Sequence, residues 1–286
     1  MKVAVSSYSF QKLLKDGTYN QFSIIEKAKE IGFGAIEFVD INPHDGTDKK
    51  EYAKKLREEC VRVGMEISAF TFGADFLNGS DGDTKTEIER VKSQIDIAEI
   101  LGAKVIRHDA TSGIEGKTFE MVLPVLADAC REVTEYAQKK GIKTTVENHG
   151  FFCQDSSRVL ALYSAVNHDN FGLLCDMGNF LCVDENPLNA VSKVAPFASY
   201  VHAKDFHVLP AEGTDPGAGF FRSREGNYLR GAIIGHGNVP VKACLYVLKR
   251  AGYDGYVTIE FEGLEDNILA LTTGLENLKR YIKEIE

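Results

Sequence analysis

Four short segments in the second half of the chain end in residues able to bind a cation or move a proton: TTVENHG, GLLCDMGN, SYVHAKD and YVTIEFEG. Each opens on a run of apolar or β-branched residues, the pattern of a buried strand. Side chains alternate faces along a strand. With Val146, Val201, Ala203, Val257, Ile259 and Phe261 on one face, Thr145, Glu147, His202, Lys204, Thr258, Glu260 and Glu262 fall on the other. Asp176 ends its strand above Leu174, and Cys175 turns away. Glu147, Asp176, His202 and Glu260 then share one rim. Three carboxylates in a low-dielectric mouth repel strongly unless a cation neutralises them. Three oxygens and one imidazole nitrogen are a mostly hard donor set, suited to one divalent ion: Mn²⁺ first, with Mg²⁺, Co²⁺ or Zn²⁺ as alternatives.

The elements that hold these segments follow a recurring order of amphipathic helix, glycine and strand-like run. It occurs as KAKEIGFGAIEF, EECVRVGMEISAF, AEILGAKVIRHD, YAQKKGIKTTVEN and VLKRAGYDGYVTIEF. Gly32, Gly64, Gly102, Gly141 and Gly252 stand where each helix must stop, a place that suits a left-handed cap. Strands are predicted near 2–8, 34–39, 66–72, 103–108, 143–148, 171–176, 199–204 and 256–261. Helices are predicted near 19–32, 48–64, 84–102, 119–141, 155–167, 187–196, 240–252 and 264–285. Alternation of this kind implies parallel βαβ units. Eight of them imply an α/β protein built as a single (β/α)8 TIM barrel, one domain over residues 1–286. A doubly wound sheet would place a glycine-rich phosphate turn after the first strand, where this chain has SSYSFQKLL. The long glycine-rich connection from Asp205 to Gly237 lacks helical periodicity and leaves the seventh strand on the active-site face of such a barrel.

Composition narrows the function classes. The 286 residues are 44% apolar and 26% charged, ordinary for a globular chain, with 33 Lys+Arg against 42 Asp+Glu and a net charge of -9. Such a surface repels nucleic acid and anionic membranes. Serines break up the N-terminal MKVAVSSYSF, and no apolar run is long enough to span a bilayer. The six scattered cysteines read as reduced thiols, which suits the cytoplasm.

VENHG, CDMGN, HAKD, the GHGNVP turn and TIEFEG resemble the xylose-isomerase-like barrels grouped as sugar phosphate isomerases and epimerases, and the likeness spans essentially the whole chain. Ketose 3-epimerases, inosose dehydratases and endonuclease IV share that superfamily. The resemblance implies a metal-dependent isomerase or epimerase acting on a small carbohydrate. The four rim residues would hold the ion, and Glu147 and Glu260 would also serve as acid and base through an enediolate. A dehydratase or lyase of the inosose or keto-glycoside type uses the same intermediate and is the alternative. Two departures bear on substrate. Ketose 3-epimerases carry a glutamate where Cys153 stands and a histidine where Asn179 stands. Endonuclease IV needs further His and Asp ligands, whose places are taken by Asn179 and by Leu229 to Gly231. A nuclease is therefore disfavoured, as is a non-catalytic sugar-binding subunit with an intact ligand set. Related barrels commonly form homo-oligomers. His108, His149, Asn179 and Lys204 are the candidates for contact with substrate hydroxyls. Strand four leaves Arg107 and His108 competing for the inward face. Glu37 reads as a substrate contact or an internal ion pair, and Phe10, Phe72 and Phe206 as aromatic faces for a sugar.

Overall fold

The structure, a computed structural model, describes residues 1–43 and 46–286. Its strands are β1 (Lys2–Ser6), β2 (Ala35–Val39), β3 (Glu66–Phe72), β4 (Val105–His108), β5 (Lys143–Glu147), β6 (Phe171–Asp176), β7 (Ala198–Ala203), β8 (Asp205–Leu209), β9 (Phe221–Arg222), β10 (Tyr228–Ala232) and β11 (Tyr256–Ile259). The first seven and β11 pair in parallel and close a barrel in the order β1-β11-β7-β6-β5-β4-β3-β2. The helices are α1 (Gln11–Lys15), α2 (Ser23–Ile31), α3 (Lys49–Val63), α4 (Thr84–Leu101), α5 (Phe119–Gln138), α6 (Ser156–Val166), α7 (Pro187–Val194), α8 (Val241–Arg250) and α9 (Asn267–Ile285). This is the α/β TIM barrel that the alternation predicts. Among the described residues no helix is long and apolar enough to cross a membrane.

Two layers of burial set the rim. Val146, Cys175, Val201, Ala203, Val257 and Ile259 join the core between strands and helices. Burying an aliphatic side chain of this kind stabilises the fold by about 1.5–3 kcal/mol. Inside the barrel, Ala69, Leu174 and Tyr200 form a separate plug. The Tyr200 hydroxyl donates to Ser68 Oγ at 2.8 Å and lies 2.6 Å from Thr258 Oγ1. The plug sits directly below the rim, so a side chain one step further along each strand reaches the mouth.

Gly32, Gly64 and Gly102 cap their helices with φ of 108°, 70° and 82°. The first full helix starts at Ser23 rather than near 19, because Asn20 Oδ1 accepts the N–H groups of Phe22 and Ser23, both at 2.9 Å. All six cysteines are free and buried.

The connection after β7 corrects its sequence reading. It folds as a three-stranded antiparallel sheet, β8-β10-β9, in which Leu209 opposes Tyr228 and Asp205 opposes Ala232. Pairing partners so far apart in sequence leave no local period to detect. Asp205 anchors this sheet. Its carboxylate accepts the backbone N–H groups of Phe206, Gly235, Gly237 and Val239, each at 2.9 Å. A Cβ on Gly237 would lie 2.3 Å from Asp205 Oδ1, which explains the glycine of the GHGNVP turn. The far end is tied down by Arg224 to Asp155 at 2.6 Å and by Ser223 to Asp184 at 2.6 Å.

Candidate metal centre

Strand register brings four donors to one point. β5 pairs with β6 so that Glu147 lies beside Leu174, and β6 pairs with β7 so that Asp176 lies beside His202. Glu260 follows β11, and its N–H donates to the Ala203 carbonyl at 3.0 Å. His202 Nδ1 stands 3.6 Å from Glu147 Oε1, 3.7 Å from Asp176 Oδ2 and 3.7 Å from Glu260 Oε1. One donor atom from each residue lies within 4.8 Å of all the others, and all four residues are buried.

Neighbours fix these groups. Asp176 Oδ1 accepts the N–H groups of Gly178 and Asn179 at 2.8 Å, which leaves Oδ2 aimed at the centre. Asn148 clamps the strand end by accepting Asp176 N–H at 2.9 Å and donating to its carbonyl at 3.0 Å. His202 Nε2–H donates to Glu37 Oε2 at 2.8 Å, so Nδ1 is the nitrogen turned to the carboxylates. Arg107 Nη2 reaches Glu147 Oε2 at 2.5 Å and Asp109 Oδ1 at 3.0 Å. Asn179 Nδ2 donates to Glu147 Oε1 at 2.9 Å, and Lys204 Nζ donates to Asn179 Oδ1 at 3.2 Å and pairs with Glu260 Oε2.

The donor set fits a divalent ion. His202 Nδ1 and Asp176 Oδ2 are buried and have no hydrogen-bond partner, which is costly unless another group satisfies them. Metal–ligand bonds of roughly 2.0–2.3 Å put neighbouring donors about 3–4 Å apart, matching the spacing here. Electrostatics agree. Burial works against charge on His202, yet the carboxylates of Glu37 and Glu260 outweigh it and push its pKa well above the usual imidazole range. The field that attracts a proton to Nδ1 attracts a dication more strongly. Burial alone would raise Glu147, but the Arg107 charge and His202 hold its pKa well below the ordinary carboxylate range. Glu260 is likewise lowered against its burial, chiefly by Lys204.

The structure distributes the remaining candidates unevenly. Asn179 and Lys204 lie at the centre, gripping donors. His149 is exposed at the rim, its Nδ1–H donating to Asp109 Oδ1 at 3.0 Å. With Asn179, Lys204, Phe221 and Glu262 it lines a cavity of about 220 Å³ beside the centre. His108 is turned out of the mouth. Register places it beside Val146 and Arg107 beside Thr145, so Arg107 takes the inward face. His108 is fully buried on the helix side, edge-on to Phe76, with Nδ1–H donating to the Asp109 carbonyl at 2.9 Å. Phe10, Phe72 and Phe206 are at most 1% exposed, too deep to offer a face to a sugar. Sequence reasoning offered Glu37 as a substrate contact or an internal ion pair, and it forms the ion pair, with His202; Arg107 was left competing with His108 for the inward face. The strand-two run AIEFV, with its one acid among apolar residues, was the available signal for Glu37.

Comparison with known proteins places this geometry. An inosose dehydratase from Clostridium beijerinckii is 27% identical over 263 residues, covering 87% of this chain and 83% of its own. A D-tagatose 3-epimerase-like protein superposes with a TM-score of 0.74 at 23% identity, over 100% of this chain and 98% of that one. A Mycobacterium smegmatis barrel in complex with magnesium gives 0.75 at 16% identity, over 100% and 98%. The IOLI protein with a bound zinc atom gives 0.75 at 19%, over 100% and 99%. At these identities the solved structures establish the fold alone. The family described as xylose isomerase-like TIM barrel matches residues 25–281, and the chain belongs to that family.

Proposed function

We propose that this chain is a divalent-metal-dependent isomerase or epimerase of a small polyhydroxy carbonyl compound, with Mn²⁺ as the preferred ion. The carrying observation is the pair of unsatisfied buried donors, His202 Nδ1 and Asp176 Oδ2, facing Glu147 and Glu260. A bound divalent ion supplies Lewis-acid polarisation of a carbonyl and its neighbouring hydroxyl. The chain supplies the rest. Glu147 and Glu260 belong to β5 and to the residue after β11, with β6 and β7 between them in the barrel, so they address a substrate from two sides. Their lowered pKa values keep both ionised at neutral pH, the state in which a carboxylate accepts a proton. One takes the proton α to the carbonyl, and the other, drawing a proton from solvent, delivers it either to the same carbon from the opposite side (epimerisation) or to its neighbour (isomerisation), so that one proton enters for each one removed. Arg107, Lys204 and Asn179 hold the two carboxylates in place. The acidic mouth and the net charge of -9 argue against nucleic acid as partner.

The inosose dehydratase similarity, which extends over most of both chains, favours a second reading, loss of a β-hydroxyl from the same substrate anion. One experiment separates them. With Mn²⁺ in D₂O, solvent deuterium at a substrate carbon without loss of water supports the first reading, and an unsaturated product supports the second. Neither outcome across a panel of ketoses, aldoses and inososes would sink both.

A further inference from the structure

A larger cavity, about 640 Å³, opens at the exits of β1 and β2, lined by Ser7, one residue beyond Ser6, and by Val39, two residues beyond Glu37. Ser7 and Val39 form its floor, joined by the Val39 N–H donating to Ser7 Oγ at 2.8 Å. Tyr8 and Gln11 line it as well, and β2 links it to the metal centre, because Glu37, two residues before Val39, is hydrogen-bonded to His202. The other walls are rich in flat aromatic and amide groups, Tyr19, Tyr52 and Asn42 among them. Lys15 is the one charged side chain on the wall among the described residues.

Small-ligand pockets usually measure about 300–1,000 Å³. The 220 Å³ space at the metal centre falls below that range and the 640 Å³ space lies within it. Tyrosine presents an apolar ring with a polar tip, and amides offer donors and acceptors together. That combination recognises the C–H faces and hydroxyl edges of a sugar ring. It is poorly suited to a phosphate. The backbone N–H cluster after β7, a place where barrels of this kind often bind phosphate, is filled by the carboxylate of Asp205.

We infer that the cavity between the β1 and β2 exits is a subsite for a second, uncharged sugar ring, so that the substrate is a carbonyl-bearing glycoside rather than a free monosaccharide. This rests on the reading of the metal centre given above. The test titrates the Mn²⁺-loaded protein calorimetrically with D-fructose, isomaltulose (a glucosyl-fructose with a free ketose end) and fructose 6-phosphate. Exchange of the α-proton of each sugar in D₂O is measured alongside. Isomaltulose should bind at least about tenfold more tightly than fructose. Tyr19→Ala and Asn42→Trp, the second of which fills the cavity, should each bring isomaltulose to within about twofold of fructose. Equal affinities for the two sugars, tighter binding of fructose 6-phosphate, or a preference that survives both substitutions would overturn the inference. In those cases exchange from fructose still supports the parent reading. Absence of binding and exchange for all three sugars overturns both.

Discussion

Strands β5, β6 and β7 and the residue after β11 provide the four donors, whereas β2 and β4 provide Glu37, which grips His202 from across the barrel, and Arg107, which grips Glu147 from the neighbouring strand. The donor half is built by register, since alternation on adjacent parallel strands puts the four side chains at one height. The supporting half works through single contacts. Glu37 sets which nitrogen of His202 faces inward, and Arg107 keeps Glu147 ionised. A metal ligand's orientation and basicity depend on such partners as well as on the ligand itself. The two halves should therefore fail differently, the first in chemistry and metal content, the second in affinity.

The largest effect is expected at the two glutamates. Glu147→Gln and Glu260→Gln keep a coordinating oxygen but lose the proton acceptor, and turnover should drop by about 10²–10⁴-fold with metal retained. Full activity in either metal-replete variant would reduce that glutamate to a ligand only.

Next is a residue on β4 that belongs to neither half. Burial holds the His108 pKa down at about 4, against 6.5 for the free side chain. Its contribution to stability is complete above pH 6.5 and is lost as pH falls toward 4, because the unfolded chain then binds a proton that the folded chain refuses. The difference amounts to about 3 kcal/mol. Denaturant midpoints measured across that interval should fall less steeply in His108→Phe than in the unmodified protein. Parallel curves would show that His108 titrates normally in the fold.

A smaller effect is expected at Glu37. Glu37→Ala should weaken divalent-ion binding by about 10–100-fold, with Glu37→Gln recovering part of it through its remaining acceptor. Titration of the metal-free protein with Mn²⁺ measures this without reference to turnover. Unchanged affinity in Glu37→Ala would mean that register alone orients His202.

The contrast between the halves also explains what the sequence made legible. VENHG, CDMGN, HAKD and TIEFEG are strand ends with an acid or imidazole on the inward face, so alternation puts Glu147, Asp176, His202 and Glu260 on one rim, with Lys204 and Glu262 on the same face two residues further out. The barrel was readable for a similar reason, since helix, glycine and strand repeat locally. The roles of Glu37 and Arg107 were less legible, because the metal-centre residues they hold, His202 and Glu147, lie 165 and 40 positions away in sequence. For β4 the question was which of two neighbours points inward, and only pairing with β5 settles it: Arg107 beside Thr145, His108 beside Val146. The β8-β10-β9 sheet was hidden in the same way, its partners separated by a glycine-rich stretch with no period.

The central claim is that His202 Nδ1 and the three carboxylates hold one divalent ion. The direct measurement is the divalent-metal content of the purified protein after loading with Mn²⁺ and desalting, compared with His202→Ala treated identically. The account predicts close to one ion per chain in the unmodified protein and loss of most of it in His202→Ala. Equal content in the two samples would contradict it.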